Sequence, residues 1–505
     1  MHLPTFPSGP APRLGAALIL LSAGGCSFAP EPEVPQTVQR VPEAYEESTP
    51  PRDSAWSSVH WWRAYDDPTL DRLVDTVLAA NLDLVEAVGR VEESRALAGV
   101  ALADLLPSLS GSADANYSST PANAGFGQII GGGEEGDSTA SFRPDRFETT
   151  DYSAALTLSY ELDLWGRARN DRGAALAEAL ASESDAQAVQ LGVLAEAITA
   201  YFEVAELRRR IALTDEAVGV LQERADLTQV RYDRGLVTSF ELYQIREQLR
   251  NAQAGLPQLR ALLTEAETRL AVVSGRYPGE LAALLQEPAL PEGDLPPVPG
   301  SLPADLLWQR PDVRAAGRRL EAARLRVGAR RAELLPGLSL TGTLGLQAAD
   351  PENLLDLSQW FTNLTAGLTA PLFQGGRLRA NVRAQEARYV QQTAAYGRTV
   401  LTAVAEVESA LARHRQEAER FAFLRDQLQE AQASVDLQAS RYEAGVTGYA
   451  DYLDALRNRL VVEGTLAQAA RDYALSRLGL HRALGGTWVP DPVPEETRGA
   501  PEDAS

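Results

Sequence analysis

The chain has 505 residues, is 45% apolar and 23% charged, and carries a formal net charge of −22; this is the composition of a folded chain of one to three domains. So acidic a surface argues against nucleic-acid binding, because phosphate contact needs positive patches. All 47 basic residues are arginine, a usage to which no function is attached.

Residues 1–25 read as a lipoprotein signal peptide. Arg13 precedes the apolar run LGAALILLS at 14–22, which is too short to span a bilayer. AGGC follows and ends at Cys26, the only cysteine. A lone cysteine in this place resembles a bacterial lipoprotein box, cleaved before Cys26 and lipidated on its sulfur, although Ala23 stands where the box prefers leucine. A plain secretory signal with an incidental cysteine is the other reading. Ser27, rather than aspartate, follows Cys26, and by resemblance to bacterial sorting rules this favours the outer membrane. Residues 26–60 are rich in Pro and Glu and read as an extended tether. No later stretch is expected to form a transmembrane helix, so a crossing of the membrane would need a closed β-barrel.

Two repeats follow, at 61–277 and 304–488. They are joined by the Pro-rich linker 278–303 and trailed by a polar tail at 489–505. NLDLVEAVGRVEESRALAGVALADLLPSLS (81–110) aligns without gaps on RPDVRAAGRRLEAARLRVGARRAELLPGLS (310–339). Asp83, Arg90, Glu92, Arg95 and Pro107 meet Asp312, Arg319, Glu321, Arg324 and Pro336, an offset of 229. Later the offset is 210: Gly166 meets Gly376, Arg231–Tyr232 meets Arg441–Tyr442, Gly235 meets Gly445 and Gly275 meets Gly485. The change places 19 extra residues between Ser110 and Gly166, where GQIIGGGEEGDSTASFRPD lies. An internal duplication explains this pattern better than chance.

Each repeat holds a helix, two strand-like runs, a very long helical run, an RY..G turn and another helix. Strands are expected at 108–118, 151–165, 338–347 and 362–372. In the second run Leu156, Leu158, Tyr160 and Leu162 alternate with Thr157, Ser159 and Glu161. Alternation over about ten residues marks barrel strands with lipid outside and water inside. A soluble half-buried sheet would show the same pattern in any one strand; four such runs behind an outer-membrane address favour the barrel. Four strands cannot close a membrane barrel, for which about eight is the minimum, so copies must share it. The run from Gly166 to about Arg231 is long enough for a helix of about 100 Å. Its apolar positions Leu191, Leu194, Ile198, Tyr201, Phe202 and Ala205 have amphipathic spacing, as do Leu401, Val404, Val407 and Leu411.

Enzyme chemistry finds no support. The four histidines, His2, His60, His414 and His481, lack metal-ligand spacing, and there is neither a phosphate loop nor a nucleophile elbow. HWW at 60–62 could form an aromatic sugar platform.

From about Trp61 to Trp488 the chain resembles the TolC-like outer-membrane efflux channels, in the lipoprotein branch that works with RND-type drug pumps. The resemblance rests on WWRAYDDPTLDRLVDTVLAANLDLVEAVGRVEESRA (61–96), the paired DLLP and ELLP strand entries, the WGRAR and GGRLR strand exits and the two RY..G turns. It implies a mixed α and β membrane protein built as a trimer. Each duplicated protomer would give four strands to a shared 12-stranded barrel and long helices to a 12-helix periplasmic α-barrel. It implies a passive duct, without cofactor, joined by a periplasmic adaptor to an inner-membrane transporter. YADYLDAL resembles the inner-tip motif, in which Asp451 and Asp454 line the constriction. A spacing of three puts both on one helix face, and in a trimer each would form a ring of three carboxylates that draws cations. The bland alternative is that both are solvated residues of a helix start. By the same resemblance Tyr442 and Glu241 would lock the tip, with Thr447 where such a lock can carry arginine. Gly235, Leu236, Gly445 and Val446 would dock the adaptor, and the glycines would also supply positive φ. A duct for type I protein secretion and a lipid-anchored coiled-coil scaffold without a pore are the other readings.

Overall fold

The computed structural model describes residues 28–39, 41, 60–121, 146–281, 285, 288–296 and 304–486. The signal segment, Cys26, most of the tether, the Gly-rich insertion and the tail lie outside the described residues. The main elements are α1 (Pro68–Ala80), α2 (Leu82–Ala103), β1 (Ser108–Pro121), β2 (Arg146–Leu162), α3 (Arg167–Asp233), α4 (Ser239–Val273), α5 (Pro311–Ala332), β3 (Gly337–Ala348), β4 (Trp360–Thr369), α6 (Arg377–Glu443) and α7 (Tyr449–Ala483).

The duplication is visible in the elements. Helices α2 and α5 each have 22 residues and begin at 82 and 311, an offset of 229. Helices α3 and α6 each have 67 residues and begin at 167 and 377, an offset of 210. Helices α4 and α7 each have 35 residues, beginning at 239 and 449. The chain forms two compact units, to which both repeats contribute.

The first unit comprises Arg95–Ala177 and Glu321–Val390. Its sheet is antiparallel in the order β1-β2-β3-β4. The register carries Leu109, Leu158, Gly342 and Leu364 across one row, and Gly111, Leu156, Leu344 and Thr362 across another. The neighbouring row holds Ser110, Thr157, Thr343 and Asn363, with the Thr157 and Thr343 hydroxyls 3.3 Å apart. Because paired residues share a face, the sheet has a leucine side and a hydroxyl side. Leu109, Leu156, Leu158, Leu344, Leu364 and Leu368 are exposed, Leu364 at 83% and Leu368 at 70%. Gly345 is needed where strands crowd: a Cβ there would meet Ala154 O at 2.7 Å and the Phe361 ring at 2.8 Å. Beside the sheet, Arg330 holds Asp171 through two hydrogen bonds of 2.7 and 2.8 Å, and Ala174, Ala177 and Ala322 form a small apolar contact.

Strand β2 stops at Leu162, three residues short of the sequence expectation at 165. The Asp163 carboxylate instead accepts from the Ala168 and Arg169 amides at 3.2 and 2.9 Å, capping α3. Strand β4 ends at Thr369, ahead of Pro371, which has no amide to continue a ladder.

The second unit comprises Glu33–Ser94, Glu178–Leu320 and Gln391–Ser505. Trp61, Trp62, Leu70, Leu73 and Val77 pack in its core with Leu194, Ile198, Tyr201, Phe202, Leu270 and Leu478. Asp67 caps α1 by accepting from the Thr69 amide at 2.8 Å, and also accepts from the Tyr201 hydroxyl. Asn81 donates to Val273 O at 2.7 Å and caps Leu84 N at 3.0 Å. Trp61 and Trp62 are buried, so no sugar platform exists at HWW.

Two sequence expectations change. Helix α3 does contain an 18-residue window apolar enough to cross a bilayer, but 67% of that window is buried, and its Leu194, Ile198, Tyr201 and Phe202 are core residues. On α6 the buried stripe is Val400, Ala403 and Val407, while Leu401 is exposed. Val404 and Leu411 pack against the core beside Val407 as the spacing predicts, so only Leu401 leaves the expected face.

Candidate functional site

The two RY..G turns are helix C-caps. In the first, the Leu236 amide donates to Arg231 O at 2.8 Å and the Gly235 amide to Tyr232 O at 2.8 Å. In the second, Val446 and Gly445 donate to Arg441 O and Tyr442 O at 2.8 and 2.9 Å. This is the Schellman arrangement, which needs a left-handed residue at its end. Gly235 and Gly445 supply it at φ of 72° and 71°. Leu236 and Val446, each 65% exposed, stand out from the turns.

Helices α4 and α7 then start in different ways. Thr238 and Glu241 form a capping box: the Glu241 amide donates to Thr238 Oγ1 at 3.4 Å and the Glu241 carboxylate accepts from the Thr238 amide at 3.5 Å. An offset of 210 puts Gly448 and Asp451 in those places. Glycine has no side chain to offer, so only the return half survives, from the Gly448 amide to Asp451 Oδ2 at 3.1 Å. Asp451 is therefore the counterpart of Glu241, and both carboxylates sit at helix N-termini, where the dipole favours them.

Tyr442 and Glu241 are not joined by a hydrogen bond within the protomer. Glu241 turns back on Thr238. The Tyr442 ring rests on Tyr449 at 5.0 Å, and Tyr449 stacks on Tyr452 at 5.8 Å. The Tyr449 hydroxyl donates to Glu223 Oε1 of α3 at 2.7 Å. This bond and the Glu223 charge, with some burial, push the phenol up to about 12. Thr447 presents a buried hydroxyl and no cation.

One turn beyond Asp451, Asp454 forms an ion pair with Arg224 of α3. Their side chains are 41% and 25% exposed. Below the pair, Leu453 and Leu460 of α7 pack on Leu213 and Val220 of α3. Farther along, Arg459 donates to Glu216 at 3.0 Å, and Arg209 pairs with Glu463. Sequence reasoning missed Arg224, Glu223, Tyr449 and Glu216. Their only signal is that α3 and α7 lie side by side, which no local spacing states. The exposed pair Phe240 and Tyr243 at the start of α4 was also missed.

The outer membrane efflux protein family matches residues 73–276 and 302–486. Among curated relatives, the antibiotic efflux pump outer membrane protein ArpC of Pseudomonas putida is 30% identical over 497 residues, covering 97% of this chain and 98% of its own. The outer membrane protein OprJ of Pseudomonas aeruginosa is 32% identical over 492 residues, covering 95% and 96%. Among solved structures, the outer-membrane channel OprN superposes with a TM-score of 0.78 at 29% identity, covering 92% of this chain and 100% of its own. With both repeats matched and the likeness running through nearly the whole chain, this protein belongs to the outer membrane efflux protein family.

Proposed function

We propose that the chain works as a passive exit duct of a tripartite efflux system in the outer membrane. Three copies close a shared barrel of twelve strands and surround a periplasmic tunnel of twelve helices. Drugs or other small molecules enter from an inner-membrane transporter of RND type through a periplasmic adaptor. The observation that carries this reading is the sheet: a leucine side, a hydroxyl side, and two edge strands, β1 and β4, without further strand partners among the described residues. In lipid each unpaired backbone group costs several kcal/mol, so other copies must cover those edges. The duct makes and breaks no bonds; the pump supplies the energy. The relatives' names, which include an antibiotic efflux pump protein, favour small molecules over secreted proteins.

Within this reading Asp451 and Asp454 line the narrow end of the tunnel. The turn residues Gly235, Leu236, Gly445 and Val446 receive the adaptor, and a lipid on Cys26 anchors the chain. Tyr442 steadies the tip through Tyr449 and its bond to Glu223, with Glu241 serving as a helix cap.

Single-channel recording in planar bilayers tests the reading. The wild type should give a small, cation-selective conductance, and Asp451→Ala/Asp454→Ala should raise the conductance and lose the selectivity. Equal behaviour of the two would place the constriction elsewhere. Confirmed insertion with no conductance in either would remove the duct.

A further inference from the structure

We infer that Arg224 sets the ion selectivity of the constriction, by cancelling the charge of Asp454 and leaving Asp451 as the carboxylate tier that draws cations. The inference rests on the placement of the two aspartates in the pore. Although three residues apart on one face, they have unlike environments. Asp451 is exposed, and its carboxylate meets the Gly448 amide, a neutral dipole, at 3.1 Å. Asp454 meets a guanidinium. Opposite unit charges in contact act on a passing ion as a dipole, whose potential falls faster with distance than that of a lone charge.

Arg224 is held for this task. It stands on α3 between Val220 and Leu221, which are buried, and Ala225, which is buried too. Glu223, its neighbour, is tied to Tyr449 at 2.7 Å, and Leu453, beside Asp454, is sealed into the contact with Val220. The backbones of α3 and α7 are thus fixed on both sides of the pair. Arg457 and Asp451 lie within electrostatic range of the guanidinium, one repelling and one attracting. In a trimer the three Arg224 guanidiniums would then offset the ring of carboxylates at Asp454 and not the ring at Asp451. A tip stapled by this pair without any effect on ions is the competing account, and the two differ in what they predict for selectivity.

Reversal potentials across a salt gradient in planar bilayers separate them. The variants are Arg224→Gln, Arg224→Lys, Asp454→Asn, Arg224→Gln/Asp454→Asn and Asp451→Asn, each first shown to assemble. Arg224→Gln unmasks three carboxylates and should raise the cation-to-anion permeability ratio severalfold. Asp454→Asn leaves the cation uncompensated and should lower the ratio. The double variant and Arg224→Lys should both return to the wild-type ratio. An Arg224→Gln channel that conducts more but selects as the wild type does overturns the inference and makes the pair a staple. If Asp451→Asn also leaves selectivity untouched, the pore placement itself falls. Should Arg224→Gln fail to assemble, Asp454→Asn and Arg224→Lys still decide: an unchanged ratio in Asp454→Asn overturns the inference.

Discussion

At the scale of single residues, the histidines show how little a residue type says without its surroundings. His414 and His481 both pack against aromatic rings. The His414 ring stacks on Tyr473 at 5.3 Å and its Nδ1 lies 2.9 Å from Ser476 Oγ. Burial, then the Arg477 charge, pushes its pKa from 6.5 down to about 4. His481 stacks on Trp61 at 4.8 Å and accepts from Arg477 Nε at 3.2 Å; burial and that cation hold it well below its ordinary value. The unfolded chain takes up these protons near pH 6.5, whereas the folded His414 does so only near pH 4. Between those values the unfolded state binds more protons, so stability is full above pH 6.5 and falls as pH drops. His414 alone contributes a loss of roughly 3 kcal/mol across that window. Thermal melting in detergent should therefore show Tm falling from pH 7 toward pH 4.5, with a shallower slope in His414→Gln. Parallel slopes in both proteins would show that His414 titrates normally. The glycines were the most legible residues. Gly235 and Gly445 recur at one offset because both turns need a left-handed residue. Arg224 was not legible, because its partner lies on a helix more than two hundred positions away.

At the scale of elements, periodicity was a sound guide to type and a weaker guide to ends. The four strands were read from alternation, and the structure pairs them so that the leucines of neighbouring strands lie on one face of the sheet. Their limits were set by features outside the pattern, such as the cap that Asp163 gives α3. The helices α3 and α6 follow the same logic: the buried stripe of α3 was found, and that of α6 was found at Val404, Val407 and Leu411 but not at Leu401, which is exposed. The two faces of β4 make a direct test of the lipid boundary. Leu364 is 83% exposed on the leucine side, while its neighbour Asn363 is in the hydroxyl row. Arginine on a lipid face costs about 2–4 kcal/mol at the bilayer midplane; on a watery face it costs little. Leu364→Arg should therefore sharply reduce the assembled protein recovered from outer membranes, whereas Asn363→Arg should assemble and change ion selectivity. Equal recovery of the two variants would mean that β4 does not separate lipid from water.

At the scale of the whole molecule, the number of copies is where the sequence alone ran out. Alternation supplied four strands, and the cost of open edges in lipid required that they be completed by other chains. Two copies give eight strands and three give twelve, and both are permitted barrel sizes. No residue pattern in one chain chooses between them, because closure depends on tilt and stagger between strands of different copies. The family resemblance chose three. Co-expression of the chain with a second version bearing a larger C-terminal tag decides the matter, provided that the assemblies are resolved intact on a native gel. Random mixing of three copies gives four species, with the two mixed ones most abundant; two copies give three species. Four bands in outer-membrane extracts are the expected result. Three bands would make the barrel eight-stranded, and the carboxylate tiers at Asp451 and Asp454 would then hold two charges each rather than three. Two bands, with no mixed species, would mean that the sheet edges are covered from within the chain, and the shared barrel would have to be given up.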